Sequence, residues 1–199
     1  MKIFHHRQNT ALQLRGVPSV DGVEIDLRSS NGEIILQHDP FLQGEVLSDW
    51  LDSWDGQEII LNIKEEGIED RVLDLMDRKR ISHYFFLDQS FPFMVKLLKN
   101  NNTNTAARVS DLESVETALA INTKWVWVDC FNGNWDFLLH AVPKLQSAKK
   151  KICLVSPELV RNQSEIELDN LQALLKMNNF GIDGVCTKLK SKWTYYDSN

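Results

Sequence analysis

The sequence predicts an α/β protein whose parallel strands close into a compact (β/α)8 barrel. Short apolar runs bounded by turn residues alternate along the chain with longer helix-favouring stretches. Such alternation is typical of parallel strands joined by helices. Eight runs of this kind favour a closed barrel, and an open doubly wound sheet is the main alternative. The chain has 199 residues, which is short for a barrel, since these folds typically have about 250.

Apolar runs rich in β-branched and aromatic residues predict the eight strands. They cover residues 2–7, 22–27, 57–64, 84–88, 105–109, 125–129, 151–155 and 184–187. The predicted helices cover residues 10–14, 47–54, 68–79, 91–100, 112–120, 135–148 and 165–177. Asn31-Gly32 is a strong hairpin signal, and it would place His38 on a short extension of the second strand.

Composition limits the class of protein. We expect a single domain over residues 1–199, with 43% hydrophobic and 25% charged residues. A formal charge of −6 gives no indication of the basic surface that general nucleic-acid binding requires. No apolar run approaches the roughly 20 residues of a membrane span, and we expect a cytoplasmic protein without membrane insertion. The three cysteines form no paired metal motif and are expected to be buried thiols. The oligomeric state stays open.

A polar cluster lies within these apolar runs near the N-terminus. Glu24 and Asp26 alternate around Ile25, and residues two apart on a strand share a face. Paired acids on one strand face indicate a metal site, a general acid/base pair or an ion-pair network. His6 and His38 add imidazoles that titrate near neutral pH. An active site is therefore the leading hypothesis.

Six short segments resemble the signature of the glycerophosphodiester phosphodiesterases. That family reads His-Arg-Gly, Glu-Asn-Thr, Asp-Gly-Val-Glu-x-Asp, a hairpin ending in His-Asp, and then Glu-x-Lys. The matching segments are His6-Arg7, Asn9-Thr10, residues 21–26, residues 31–33, His38-Asp39 and residues 62–64. Residues 127–131 and 153–159 look like a compact branch of the same superfamily, which also carries Asn-Ile-Lys on its third strand.

The resemblance implies a (β/α)8 TIM barrel of PLC-like phosphodiesterase type and a phosphoric diester hydrolase. Its substrate would be a small glycerol- or sugar-linked phosphodiester, and its cofactor a divalent cation, Mg²⁺ or Ca²⁺. It implies that His6 and His38 are catalytic, that Arg7 and Lys64 bind the substrate phosphate, and that Glu24, Asp26 and Asn62 hold the metal. Polar residues at the ends of later strands are second-tier candidates: Asp88, Arg108, Asp129 and Glu158.

Two departures from the family pattern keep alternatives open. Gln8 follows His6-Arg7 where the family has glycine, and Asn62 replaces a metal-ligating acid. An amide oxygen can ligate Mg²⁺ or Ca²⁺, but it carries no charge. A catalytically weakened phosphate-ester-binding barrel is therefore one alternative. A lyase that forms a cyclic phosphate, or a sugar-processing barrel, is another. The two histidines favour an enzyme, because binding phosphate needs only cations.

Overall fold

The computed structural model describes residues 1–160 and 165–198, and it has the predicted mixed α/β class. Strands and helices alternate, and all eight predicted strands are present. The chain divides into two compact units. One is Phe4–Asn104, and the other combines Met1–Ile3 with Thr105–Asn199.

The unit Phe4–Asn104 carries a parallel core sheet with an antiparallel extension. Its parallel strands lie in the order β1, β2, β5, β6, and β2 continues as an antiparallel hairpin with β3, which pairs with β4. The elements are β1 (Lys2–His5), α1 (Ala11–Leu14), β2 (Gly22–Ser30), β3 (Glu33–Leu36), β4 (Glu45–Val46), α2 (Leu47–Leu51), β5 (Glu58–Ile63), α3 (Glu69–Lys79), β6 (Tyr84–Leu87) and α4 (Phe91–Lys99). The predicted hairpin is confirmed, with φ of 51° at Asn31 and 84° at Gly32.

The second unit has four parallel strands in sequence order. β7 pairs with β8, β8 with β9, and β9 with β10. Its elements are β7 (Ala106–Val109), α5 (Val115–Ala120), β8 (Trp125–Val128), α6 (Leu138–Ser147), β9 (Lys151–Val155), α7 (Glu165–Met177), β10 (Gly184–Thr187) and α8 (Lys190–Ser198). Short 3₁₀ turns at Trp135–Phe137 and Pro157–Leu159 follow β8 and β9. Helix α8 is an addition to the predicted elements.

Each unit has its own apolar core, built from strand faces and the helices that cover them. In the unit Phe4–Asn104, the core joins β2 and β5 with α2 and α3, and Trp50 is fully buried within it. In the other unit, the core joins β8 and β9 with α6 and α7. The three cysteines are buried, as predicted. None of the described helices combines the length and apolar character needed to cross a membrane.

Gly22 leaves no room for a side chain. A Cβ there would lie 2.2 Å from a carbon of the Phe4 ring and 3.0 Å from the Glu58 carbonyl oxygen. Phe4 is itself fully buried and packs edge-to-face on Phe85, with ring centroids 5.8 Å apart. The ring therefore has little freedom to move away.

We predict that Gly22→Ala lowers the free energy of unfolding by about 1–3 kcal/mol, because added volume in a packed core forces strain on its neighbours. Chemical denaturation of the purified protein measures this loss. Gly16→Ala is the matched control, since a Cβ at Gly16 meets only an ordinary contact of 3.5 Å. Equal stabilities of the two variants would contradict the packing argument.

Candidate active site

The two predicted carboxylates lie side by side on a buried face of β2. Glu24 is 1% exposed and Asp26 is fully buried. Asp26 lies directly opposite Asn62 in the parallel pairing of β2 with β5. The strand register thus brings Asn62 to the carboxylate pair, and Lys64 follows directly after β5.

Glu24 accepts hydrogen bonds at both carboxylate oxygens. The Arg7 backbone N–H donates to Oε2 at 2.7 Å, and the Asn62 side-chain amide donates to Oε1 at 2.7 Å. Nε2 of His6 lies 3.9 Å from Oε2. Burial, and next the charge of Asp26, raise the pKa of Glu24 from 4.5 to about 7, although both hydrogen bonds favour the ionised form. The carboxylate pair is therefore electrostatically strained in the absence of a cation.

Asp26 lies among two cations and an amide. The Asn9 side chain donates to Oδ2 at 2.9 Å and also accepts from the Asp26 backbone N–H at 2.9 Å. Nε of Arg7 lies 3.6 Å from Oδ2, and Nζ of Lys64 lies 3.7 Å from Oδ1. Lys64 also contacts Asp88 at 3.3 Å. Asn9 belongs to the motif noticed in the sequence, but its two hydrogen bonds with Asp26 were not predicted.

A tight turn after β1 presents Arg7 to the carboxylates. Arg7 itself has the left-handed conformation, with φ of 52°. The Gln8 backbone N–H donates to the Glu24 carbonyl at 2.8 Å, and its side-chain amide donates to the His6 carbonyl at 2.8 Å. The buried Trp50 indole donates to the Gln8 carbonyl at 3.0 Å. Gln8 therefore fits the turn without the glycine of the family pattern.

His38 lies on the segment that follows the β2–β3 hairpin. Its Nδ1 lies 2.7 Å from Oδ1 of Asp39, and Nε of Arg28 donates to its carbonyl oxygen at 3.0 Å. The hydrogen bond with His38 lowers the pKa of Asp39. The Asp39 carboxylate thus contacts the imidazole of the preceding residue. It orients the imidazole through one ring nitrogen.

The second-tier candidates fall into two groups. Asp88 joins the carboxylate cluster through Lys64. In the other unit, Arg108 and Asp129 form an ion pair at 2.6 Å.

Glu158 binds the loop that follows β10. It accepts from the Thr187 hydroxyl at 2.5 Å, from the Lys188 backbone N–H at 2.9 Å and from the Ser156 hydroxyl. These bonds, together with that of the Trp193 indole to Ser156, indicate that Glu158 stabilises its own unit.

The oxygen donors of the site suit a hard divalent cation. Oδ1 of Asp26 and Oδ1 of Asn62 are both buried and accept no hydrogen bond from the described residues. Carboxylate and amide oxygens are the ligands that Mg²⁺ and Ca²⁺ take in proteins. Within residues 1–160 and 165–198, no three His, Cys, Asp or Glu side chains cluster as a metal site. The donor set fits such a cation with two charged ligands and one neutral one.

Solved structures with the same fold support the resemblance seen in the sequence. A protein from Agrobacterium tumefaciens assigned as a glycerophosphoryl diester phosphodiesterase superposes with a TM-score of 0.71 at 14% identity, covering 100% of this chain and 98% of its own. A glycerophosphodiester phosphodiesterase from Thermotoga maritima gives 0.70 at 15% identity, covering 99% and 97%. Another from Agrobacterium tumefaciens gives 0.62 at 12% identity, covering 94% and 96%. No protein-family model and no curated protein matches the chain. The similarity therefore establishes a shared fold.

We predict that the metal-free protein loses stability as the pH rises from about 4.5 to about 7. The folded-state pKa of Glu24 is raised, so the folded protein binds this proton more tightly than the unfolded chain does. The contribution is fully present below pH 4.5 and is lost as the pH passes about 7. Its size is on the order of 3 kcal/mol.

Glu24→Gln should flatten this slope in denaturation curves recorded with a chelator, because glutamine does not ionise. Glu116→Gln is the control, since Lys144 lowers the pKa of the exposed Glu116 and its contribution has the opposite sign. A wild-type and Glu24→Gln pair with parallel pH profiles would disprove the assignment to Glu24.

Proposed function

We propose that this protein is a metal-dependent phosphodiesterase of the glycerophosphodiester phosphodiesterase superfamily, acting on a small glycerol- or sugar-linked phosphodiester. The observation that carries the proposal is the buried carboxylate pair with a histidine and two cations around it. A fold shared over almost the whole chain with phosphodiesterases of that name adds support.

Arg7 and Lys64 would bind the substrate phosphate. A phosphodiester is an anion, and charge builds on its oxygens as the P–O bond breaks. Both cations lie within 4 Å of Asp26, next to the carboxylate pair. The Arg7 guanidinium offers a planar fork for two phosphate oxygens, and the Lys64 ammonium offers a point charge.

His6 and His38 would move the two protons of the reaction. One histidine takes a proton from the attacking water, whose oxygen forms the new bond to phosphorus. The other gives a proton to the alcohol oxygen as its bond to phosphorus breaks. His6 lies beside Glu24, and Asp39 orients His38. Either histidine can take either role in this scheme.

Glu24, Asp26 and Asn62 would hold Mg²⁺ or Ca²⁺. When bound, the cation supplies positive charge that stabilises the developing charge on the phosphoryl oxygens. It would also relieve the repulsion between Glu24 and Asp26, and its oxygen ligands would include the Asn62 amide oxygen.

The finer features of the fold belong to the same proposal. We infer a single domain over residues 1–199 and a closed (β/α)8 TIM barrel of PLC-like type, on the strength of the whole-chain similarity. A small-molecule substrate suits that fold, whose active sites lie at the strand ends. A cytoplasmic location and the lack of a nucleic-acid partner stay predictions from composition.

One observation favours the alternative of a weakened, phosphate-ester-binding barrel. The Asn62 amide donates to Glu24, so the residue that replaces a metal-ligating acid also stabilises the carboxylate pair without metal. A protein of this kind would bind phosphate esters and turn them over slowly or not at all.

We predict that the protein hydrolyses bis(4-nitrophenyl) phosphate and that EDTA abolishes this activity. Of His6→Ala and His38→Ala, the variant that removes the general base should lower kcat by about 100-fold or more. His140→Ala is the control, because this exposed histidine lies on α6 in the other unit. Release of 4-nitrophenol measures the rate. Turnover that is independent of metal or of both histidines would overturn the mechanism.

Comparing substrates with different leaving groups distinguishes the general-acid histidine from the general-base histidine. 4-Nitrophenol leaves readily without a proton, so loss of the general acid should affect it less than an alkyl leaving group. Detection of a cyclic phosphate from a hydroxyl-bearing diester would instead favour the lyase. Binding of phosphate esters with no turnover on a broad panel of diesters would favour the binding barrel.

We predict that Asn62→Asp tightens divalent-cation binding by about tenfold, because a third charged ligand joins Glu24 and Asp26. Isothermal titration with Mg²⁺ and Ca²⁺ measures the affinity directly. The same variant should unfold at a lower temperature without metal, because the site then holds three acids. Asn62→Ala, which removes the amide ligand, should bind more weakly. Equal affinities in all three proteins would exclude Asn62 from the metal site.

A further inference from the structure

Arg28 continues the line of charged side chains along β2. Residues 24, 26 and 28 alternate on one strand, so Arg28 shares the face of Glu24 and Asp26, about 7 Å beyond Asp26. Its Nε donates to the His38 carbonyl at 3.0 Å. Its two terminal nitrogens bond to no described residue, and no described carboxylate lies within ion-pair distance of them. Arg28 is therefore a cation that lies beside the catalytic candidates and has unused hydrogen-bond donors.

The guanidinium lines a cleft of about 440 Å³ between the β2–β3 hairpin and the loop that follows His38. Ser30 and Gln43 line it as well, with their side chains 3.4 Å apart, and Ile35 is an apolar part of its wall. Phe41 also lines the cleft, although its side chain is fully exposed and its φ is 66°. The cleft is thus mixed in character, with one cation, one carboxylate, polar groups and an apolar edge.

The one acid among the residues that line this cleft, Glu65, is held by hydrogen bonds from Ser29. Both carboxylate oxygens of Glu65 accept from Ser29, one from the backbone N–H at 3.0 Å and one from the hydroxyl at 2.5 Å. Asp39, on the neighbouring loop, is held by His38. These hydrogen bonds, and to a smaller extent the charge of Arg28, lower the pKa of both acids, yet neither carboxylate lies within ion-pair distance of the guanidinium. Its terminal nitrogens therefore keep donors for an anionic ligand.

We propose that this cleft binds one alcohol substituent of the phosphodiester, and that Arg28 selects a substituent that carries a second negative charge, a carboxylate or a second phosphate. The inference rests on the proposed function, because the phosphate site at Arg7 and Lys64 fixes the first end of the ligand. Arg28 lies about 7 Å beyond Asp26 along β2, and this spacing suits an ester whose second charge lies a few bonds from phosphorus.

Binding of two phosphate monoesters to the metal-loaded protein tests this proposal. 3-Phosphoglycerate carries a carboxylate, whereas glycerol 3-phosphate has a neutral polyol, and both have the phosphate. We expect isothermal titration to show 3-phosphoglycerate binding about tenfold more tightly or better, as for a charge-assisted bidentate contact. Glycerol 1,3-bisphosphate, as a third ligand, shows whether a second phosphate serves as well as the carboxylate.

Arg28→Gln should abolish this preference, because the affinity for 3-phosphoglycerate then falls to that for glycerol 3-phosphate. Glutamine keeps a donor for the His38 carbonyl and removes the charge, and the ratio of two affinities cancels any general loosening of the site. Arg28→Lys should retain part of the preference, because it keeps the charge without the fork. Arg78→Gln, an exposed arginine on α3, is the control for net charge and should retain the full preference.

The outcomes separate the two proposals. A wild type that binds both esters equally, or a preference that survives in Arg28→Gln, would overturn the role of Arg28 and leave the phosphate site standing. A wild type that binds neither ester would overturn the proposed function itself, and the role of Arg28 with it.

Discussion

The burial of two like charges on one strand face governs the structure around the candidate site. Glu24 and Asp26 are almost wholly removed from solvent, and burial together with the charge of Asp26 disfavours the ionised form of Glu24. The surrounding chain offsets this with hydrogen-bond donors and cations. A backbone N–H, two side-chain amides, a guanidinium and an ammonium all converge on the two carboxylates. The raised pKa of Glu24 indicates that the compensation is incomplete, and a divalent cation would complete it.

Backbone contacts fix the positions of the groups around the two carboxylates. The turn after β1 places the Arg7 N–H against Glu24, and Trp50 holds that turn from the core side. The pairing of β2 with β5 sets Asn62 opposite Asp26. Because these contacts use main-chain groups and buried side chains, the site is anchored in the same core that stabilises the fold. Loss of packing there would therefore displace functional groups as well.

Asn62 links the electrostatics of the site to its chemistry. An acid at this position would add a third negative charge to a buried pair in which the pKa of Glu24 is already raised. The amide instead donates to Glu24 and keeps its own oxygen buried without a donor among the described residues. Asparagine at this position therefore stabilises the metal-free protein. It also gives a bound cation one negatively charged ligand fewer than an acid would. In the proposed phosphodiesterase, this balance sets how tightly the site holds its cation.

Sequence by itself determined the local features: the alternation of strands and helices, the Asn31-Gly32 hairpin and the shared face of Glu24 and Asp26. Each follows from side-chain periodicity or turn chemistry within a few residues. Only the tertiary structure decided which groups meet across elements, including the Asn9 bonds to Asp26, the left-handed Arg7 and the bonds of Glu158 to the loop after β10. These contacts depend on strand register and on packing between residues that are distant along the chain. No local pattern encodes such distances, and for that reason the charge balance around Glu24 and Asp26 could be read only from the folded protein.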